Sequence, residues 1–353
     1  MRAAVMQGKT IDVRTLPDPE PGSGKLLVKP FYTGICGSDL SLRKQMAEAE
    51  DAVPAANRDA LPQIVPGHEF CAEIVDIPKA TETAFRVGDL VTSIPFTHAH
   101  DMPQTIGLSP EFSGGLASLT CVDAVRSFAV PDGLETDLAA LTEPLAVGLH
   151  AANLASRNKG PNVVIGCGPV GLATIFALKQ QGRGPILAAD LSPERSAIAE
   201  KLGADLIVNP AETSALDKWD KLGFTPSMMS PLLERDFRGL PPGANIFECT
   251  GVKGMLDQVV TVAPQHSHII VVGVCPHQET VTPLEGIVRE LTIEFSFAYR
   301  PLEFQAAMQS IADQPDLARL FITSRRPLAE TQSAFDALAK HPDEIKILIN
   351  PQA

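Results

Sequence analysis

In the stretch TGICGSDLSL (33–42) a single cysteine, Cys36, lies between Gly34 and Gly37 and is followed by Ser38 and Asp39. A second glycine-flanked turn, PGHEF (66–70), carries His68 and Glu69, and LTEPLAVGLHA (141–151) places Glu143 before a proline. Thiolate, imidazole and carboxylate drawn from separate loops are the donor types of a catalytic zinc, which takes three protein ligands and leaves a position open. Each residue also has an ordinary use, since a lone cysteine fills a core and a lone histidine finds a hydrogen bond. The residues alone leave both readings open.

A second chemistry is written in VVIGCGPVG (163–171), where Gly166, Gly168 and Gly171 stand in G-x-G-x-x-G order with Pro169 and Val170 between the last two. The motif follows a predicted strand, opens a predicted helix, and has an acid, Asp190, at the end of the next strand. That context is what a dinucleotide site requires: tight backbone turns, close approach to a pyrophosphate, and a helix N-terminus aimed at it. Asp190 is expected to accept hydrogen bonds from the adenosine ribose and to repel a 2′-phosphate, which favours NAD over NADP. Arg195 lies near enough in sequence to reach a 2′-phosphate, but it is expected to pack beside the adenine or to be solvated.

The elements that must position these groups change texture along the chain. Up to about residue 148, short β-like runs such as KLLVKPFYTGI, CAEIVDI and DLVTSIP are separated by turn residues. From Asn162, strands and helices alternate: NVVIG, then a helix in PVGLATIFALKQQG ending at Gly182, then PILAAD. A second helix, SPERSAIAEKLG, has Ser192 as N-cap and Pro193 at its first turn, and DLIVN, NIFECTG and HIIVVGV continue the strands. Such alternation builds a parallel sheet covered on both faces. The 353 residues, 44% hydrophobic and 20% charged, suffice for two cores. A net charge of -13 without a basic run argues against nucleic acid and anionic membranes as partners. No apolar stretch approaches the ~18 residues of a membrane helix. The six scattered cysteines form no C-x-x-C pair, and the N-terminus has no signal-peptide pattern, so a cytoplasmic location is expected.

Taken in order, GICGSDL, PGHEF, GDLV, GGLASLTCV, EPLAV, VVIGCGPVGL, DLSPER, KLGAD and FECTG resemble the zinc-dependent medium-chain dehydrogenases of the sorbitol, threonine and butanediol dehydrogenase group. The resemblance spans the chain. It implies a mostly β, GroES-like catalytic domain in residues 1–148 and 297–353 and a doubly wound Rossmann NAD-binding domain in 149–296. It implies that Cys36 and His68 bind one catalytic zinc, with Glu143 or Glu69 as a third metal ligand. It further implies that Asp39 fixes the His68 tautomer and that Ser38 touches the substrate hydroxyl and passes on its proton. Leu191, Arg195, Thr250 and Val272 join Gly166, Gly168, Pro169, Val170, Gly171 and Asp190 around NAD. The implied reaction is oxidation of a secondary alcohol or vicinal diol to a ketone, in a cleft between the domains, by a homodimer or homotetramer. Dimers of this kind form through edge strands, here HSHIIVVGV and LTIEFSFA. Two alternatives share the fold: a metal-free NAD(P)H-dependent enone or quinone reductase, and a non-enzymatic NAD-binding relative. Neither explains why Cys36, Ser38, Asp39, His68 and Glu143 all persist.

The chain departs from that pattern in places. Ser41 stands where many relatives carry a relay histidine, so the proton is expected to leave Ser38 through the cofactor ribose or water. PFTHAHDMPQTIGLSPEFSGG (95–115) lacks the clustered cysteines of a structural zinc, so none is expected. His98, His100 and Asp101 are a weaker candidate set there. RKQMAEAEDAVPAANRDALPQI (43–64) is either a wall of the substrate pocket or a surface excursion. SALDKWDKLGFTPSMMSPLLERDFRGLPPG (214–243), with Trp219, Met228 and Met229, packs either on its own domain or on a neighbouring subunit. In FSFAYRP, Ala298 and Tyr299 replace the arginine–tyrosine pair of sorbitol-type enzymes, with Arg300 shifted. Phe31, Phe96, Phe112 and Phe297 are expected to make the pocket more apolar.

Overall fold

The computed structural model describes residues 1–99, 102–155, 159–224, 243–341 and 343–353, and divides the chain into two compact units. The first contains Met1–Glu143 and Phe304–Ala353, the second Pro144–Glu303. Sequence texture put these limits at 148/149 and 296/297. The observed limits fall inside the helices Thr142–Leu154 and Pro301–Asp313, which continue from one unit into the other and hide the boundary from any change in composition.

The first unit is built on a mostly antiparallel sheet. Its strands run in the order Ile322–Pro327, Lys346–Asn350, Lys25–Gly34, Glu69–Asp76, Leu90–Ser93 and Ser127–Ala129, and Thr120–Asp123 also pairs with Lys25–Gly34. Leu26, Val28 and Pro30 turn inward on the central strand while their neighbours are less buried, the period-two pattern of a sheet with one face in a core. Leu26, Val28, Phe70, Ala72, Ile74 and Val91 make one apolar cluster, with Phe112 packed against it. Met46, from the helix Gly37–Ala52, joins Ile347, Ile349 and Phe335 in another. The 43–64 segment is therefore anchored: it supplies most of that helix, a 3-10 turn Ala55–Ala60, and a bridge from Ile64 to Met6. The cysteine-free lobe forms a hairpin, Phe96–Ala99 with Met102–Thr105.

The second unit is a six-stranded parallel sheet in the order Leu206–Val208, Ile186–Ala189, Asn162–Ile165, Asn245–Glu248, His268–Val271, Thr292–Phe295. Numbered within the unit this is 3-2-1-4-5-6, which reverses direction beside the first strand and leaves a ligand crevice at the carboxyl ends there. The helix after that strand, Pro169–Gln180, is buried from Gly171 to Leu178. An apolar surface all round is what such a sandwiched helix needs. It stops at Gln180, short of the expected Gly182, which takes the left-handed turn at φ 64°. Trp219 and Phe224 meet edge to face at 5.7 Å within the sheet's own core, so the described part of the 214–243 segment packs on its own unit. Met228 and Met229 lie outside the described residues.

Candidate functional site

The central strand of the first unit ends at Gly34, which pairs with Glu69 on one side and Leu348 on the other. Two residues on, Cys36 is the N-cap of the helix Gly37–Ala52, in extended backbone. Asp39 sits in that helix's first turn, wholly buried, and its Oδ2 accepts the Cys36 N–H at 2.9 Å. A carboxylate there satisfies an orphan N–H and suits the positive end of the helix. Asp39 Oδ1 faces His68 Nδ1 at 3.6 Å, and neither atom has another hydrogen-bond partner. The expected Asp39–His68 hydrogen bond is thus an approach longer than a bond. Ser38 Oγ lies 3.3 Å from His68 Nε2. Burial by itself lowers the His68 pKa, but the charges of Asp39 and then Cys36 carry it well above the ordinary 6.5.

The loop bearing His68 is shaped by glycines. Gly67 adopts φ 98°, where a side chain is strained and would press on Thr33 and Leu116. The N–H groups of Gly114, Gly115 and Leu116 bond the carbonyls of Val65, Gly67 and Pro66 at 2.7–3.0 Å. A Cβ on Gly114 would collide with the Pro66 and Gly67 carbonyls. The GG of GGLAS therefore serves backbone contact with the histidine loop.

The sulfur of Cys36, a ring nitrogen of His68 and a carboxylate oxygen of Glu69 lie within 4.8 Å of one another, the one such donor group of three among the described residues. Donor type, burial and the polar pair His68 Nδ1 and Asp39 Oδ1, each lacking a bond, fit a zinc-type ion held by Cys36 and His68. Glu143 stands outside this group, in the first turn of Thr142–Leu154, near enough for its charge to act on Lys346. Glu69 is already engaged: Lys346 Nζ donates to both its oxygens, at 2.8 and 2.6 Å. Burial lowers the Lys346 pKa, but Glu69, with Cys36 and Glu143, raises it above the ordinary lysine value. Sequence reasoning missed Lys346. Its signal was a lysine opening the otherwise apolar strand KILI.

Ser41 Oγ donates back to the Gly37 carbonyl at 3.1 Å, so that hydroxyl serves its own helix. His98 is exposed on the hairpin, while His100 and Asp101 lie outside the described residues. Of the four phenylalanines expected near the pocket, Phe112 packs on the first unit's core and Phe297 is 84% exposed on the second unit.

In the second unit Gly166 adopts φ 92°, and a Cβ on Gly171 would collide with the Gly166 carbonyl, so helix and strand meet through glycine. Gly168, the N-cap of Pro169–Gln180, makes no side-chain cap bond and has open space where a Cβ would be. That opening at a helix N-terminus is the cradle a pyrophosphate needs. Asp190 ends its strand as expected, yet its Oδ2 accepts the Cys167 N–H at 2.6 Å and its Oδ1 the Ser192 N–H at 2.8 Å. One lone pair on each oxygen is left for a ribose. Burial pushes the Cys167 thiol up to about 12, Asp190 adds to this, and the Arg195 charge offsets part, which places Arg195 close to the glycine loop. Ser192 caps its helix as read, accepting the Arg195 N–H at 3.2 Å. Thr250 and Gly251 are held by Glu248, which accepts their N–H groups at 2.7 and 3.0 Å, and the Glu248 carbonyl accepts the Val272 N–H at 2.9 Å. Glu248, also missed, fixes the turn at the sheet's carboxyl end. Leu191 is exposed.

Residues 22–132 match the family described as alcohol dehydrogenase GroES-like domain, and residues 169–313 the one described as zinc-binding dehydrogenase. The (R,R)-butanediol dehydrogenase of Bacillus subtilis (strain 168) is 30% identical over 355 residues, 97% of this chain and 97% of that protein. A crystal structure of 2R,3R-butanediol dehydrogenase from Bacillus subtilis superposes with a TM-score of 0.80 at 28% identity, covering 99% of each chain. A zinc-binding dehydrogenase structure from Sinorhizobium meliloti 1021, bound to NADP, superposes with a TM-score of 0.80 at 25% identity, also over 99% of each.

Proposed function

The chain belongs to the zinc-type alcohol dehydrogenase family and is an oxidoreductase acting on CH–OH groups, and from that premise we propose a more specific reading of it. It oxidises a secondary alcohol or vicinal diol to a ketone, reversibly, with NAD as hydride acceptor and one catalytic zinc per chain. The observation that carries this is the Cys36–His68–Glu69 group, its cysteine half-buried and its histidine and glutamate buried, with the buried Asp39 behind it.

When bound, the metal lowers the pKa of an alcohol presented to it and the nicotinamide accepts the hydride. Cys36 and His68 hold the metal. Asp39 orients both, through the Cys36 N–H and through the Nδ1 side of His68. Ser38, whose hydroxyl already lies beside His68 Nε2, takes up the proton that the substrate hydroxyl releases. Ser41 is turned away into its helix and offers no onward acceptor, so water or, with the dinucleotide bound, a ribose hydroxyl would take that part. The glycine loop and the Pro169–Gln180 N-terminus would hold the pyrophosphate, and Asp190 would hold the ribose through the lone pairs its bonds to Cys167 and Ser192 leave.

The similarity to butanediol dehydrogenases supports a diol such as butanediol among the substrates. Asp190 supports NAD, although one structural neighbour carries NADP. Initial rates on a panel of secondary alcohols and vicinal diols test both points. NAD should exceed NADP in kcat/KM by at least ~100-fold, since a carboxylate facing a 2′-phosphate costs several kcal/mol. Equal use of the two cofactors contradicts the assignment.

A homo-oligomer is part of the proposal. The outer strand Thr292–Phe295 of the parallel sheet carries Phe295 at 72% exposure, and Ile287 on the helix Pro283–Arg289 is 70% exposed. Among the described residues no helix is long and apolar enough to cross a membrane.

A further inference from the structure

In the second unit the turns after the strands Asn245–Glu248 and His268–Val271 lock into each other. A Cβ on Gly251 would collide with the Val274 carbonyl, and one on Gly273 with the Gly251 nitrogen, so the two backbones touch. Glu248 joins them at the strand ends. Its carboxylate accepts the Thr250 and Gly251 N–H groups, and its carbonyl accepts those of Val272 and Gly273 at 2.9 and 2.8 Å. Glu279 joins them further out. Its Oε1 accepts the Gly254 N–H at 2.7 Å and lies 3.5 Å from the Cys275 sulfur. Gly254 is the N-cap of the helix Met255–Val262, at φ 87°, and has no side chain of its own to cap with. A carboxylate at that end also suits the helix dipole. Among the described residues, the Glu279–Gly254 bond is the only hydrogen bond that 274–281 make outside their own segment.

In a sheet of this order each half takes one mononucleotide half of a dinucleotide. Asp190, which follows the strand Ile186–Ala189, marks the adenosine side, so the turns after Asn245–Glu248 and His268–Val271 fall to the nicotinamide side. Val252 and Val274 stay 58% and 88% exposed on those turns, apolar surface of the kind that marks a binding place. We propose that Glu279 is a positioning residue for the nicotinamide half of the dinucleotide: it pins residues 274–281 to the Gly254 turn, so that this half meets a preformed surface. The proposal rests on the reading that the crevice binds NAD. Without the bond the segment is loose in the empty protein and must be ordered as NAD binds, which weakens binding. The adenosine half does not bear that cost, because the Gly166–Gly171 loop and Asp190 receive it and Glu279 bonds to neither. A glutamate that merely stabilises the helix Met255–Val262 predicts a lower melting temperature with no difference between ligands.

The test is calorimetric titration of the purified protein with NADH, which has both halves, and with ADP, which has only the adenosine and the pyrophosphate, with thermal melting alongside. Glu279→Ala should bind NADH about tenfold more weakly than wild type, the scale of ordering a loose segment on binding, and should bind ADP with unchanged affinity. Glu279→Gln keeps an oxygen for the Gly254 N–H and should recover most of the lost NADH affinity. The proposal is overturned if Glu279→Ala binds NADH as wild type does, if it loses affinity for both ligands equally, or if Glu279→Gln recovers nothing. Failure of Glu279→Ala to fold overturns it too, since the residue then serves the whole unit rather than one half of the crevice. Wild-type protein that binds neither NADH nor ADP is the separate failure of the dinucleotide site and removes the basis of the proposal.

Discussion

Asp39 carries two tasks on two oxygens, and a substitution can separate them. Asparagine keeps a carbonyl oxygen for the Cys36 N–H but removes the charge that faces His68. Asp39→Asn should therefore melt near the wild-type temperature while zinc affinity falls about 10–100-fold, the usual cost of losing a partner behind a metal ligand. Asp39→Ala should also lose the cap, a further cost of about 1 kcal/mol in stability. Unchanged zinc affinity in Asp39→Asn would remove Asp39 from the site. His68 adds a pH dependence. Its pKa in the metal-free protein is well above 6.5, so the folded form prefers the proton. That contribution to the metal-free protein's stability is complete below the unfolded-state pKa of about 6.5 and fades as pH rises through the raised value. Metal binding needs the neutral ring, so uptake releases this proton and apparent affinity climbs with pH across the same window. Calorimetry in buffers of different ionisation heat counts the proton, and a pH-independent affinity across that window would contradict the assignment.

Loops and strand ends position these residues, and there the sequence was unevenly informative. The Gly166–Gly171 loop was legible because its needs are local: a left-handed φ, a close helix–strand approach and an open N-terminus fall within a few residues. Gly171→Ala tests that logic. Its Cβ meets the Gly166 carbonyl, so stability should drop by about 1–3 kcal/mol and NAD binding, read by fluorescence, should weaken; wild-type affinity would mean the loop does not hold the cofactor. The Cys36 and His68 turns were legible for the same reason. The Lys346–Glu69 pair was not, because its partners are 277 residues apart and meet only when the last strand docks beside Gly34. Nor was the use of Gly114 and Gly115, whose contacts are with the backbone of a loop some fifty positions earlier. The placing of the phenylalanines was not legible either, because apolar side chains carry no mark of which core they join: Phe112 went to the sheet and Phe297 to the surface.

Across the whole molecule, the metal-type donors belong to one unit and the dinucleotide loop to the other, and the chain passes between the units within two helices. The alternation of strands and helices made the second unit plain in sequence. The first, closed by strands from both ends of the chain, was recognisable mainly by resemblance. The exposed edge at Phe295 predicts that the protein sediments at a multiple of its 37.6 kDa chain mass and that Phe295→Lys shifts it toward one chain; a wild-type monomer would contradict this. The most direct measurement is zinc content per chain in protein purified without added metal, made together with NAD-dependent oxidation of a vicinal diol, in wild type and Cys36→Ser. About one zinc per chain, lost with turnover when Cys36 is replaced, is the predicted result. Turnover by protein that holds no zinc, or zinc and activity that both survive Cys36→Ser, would contradict it.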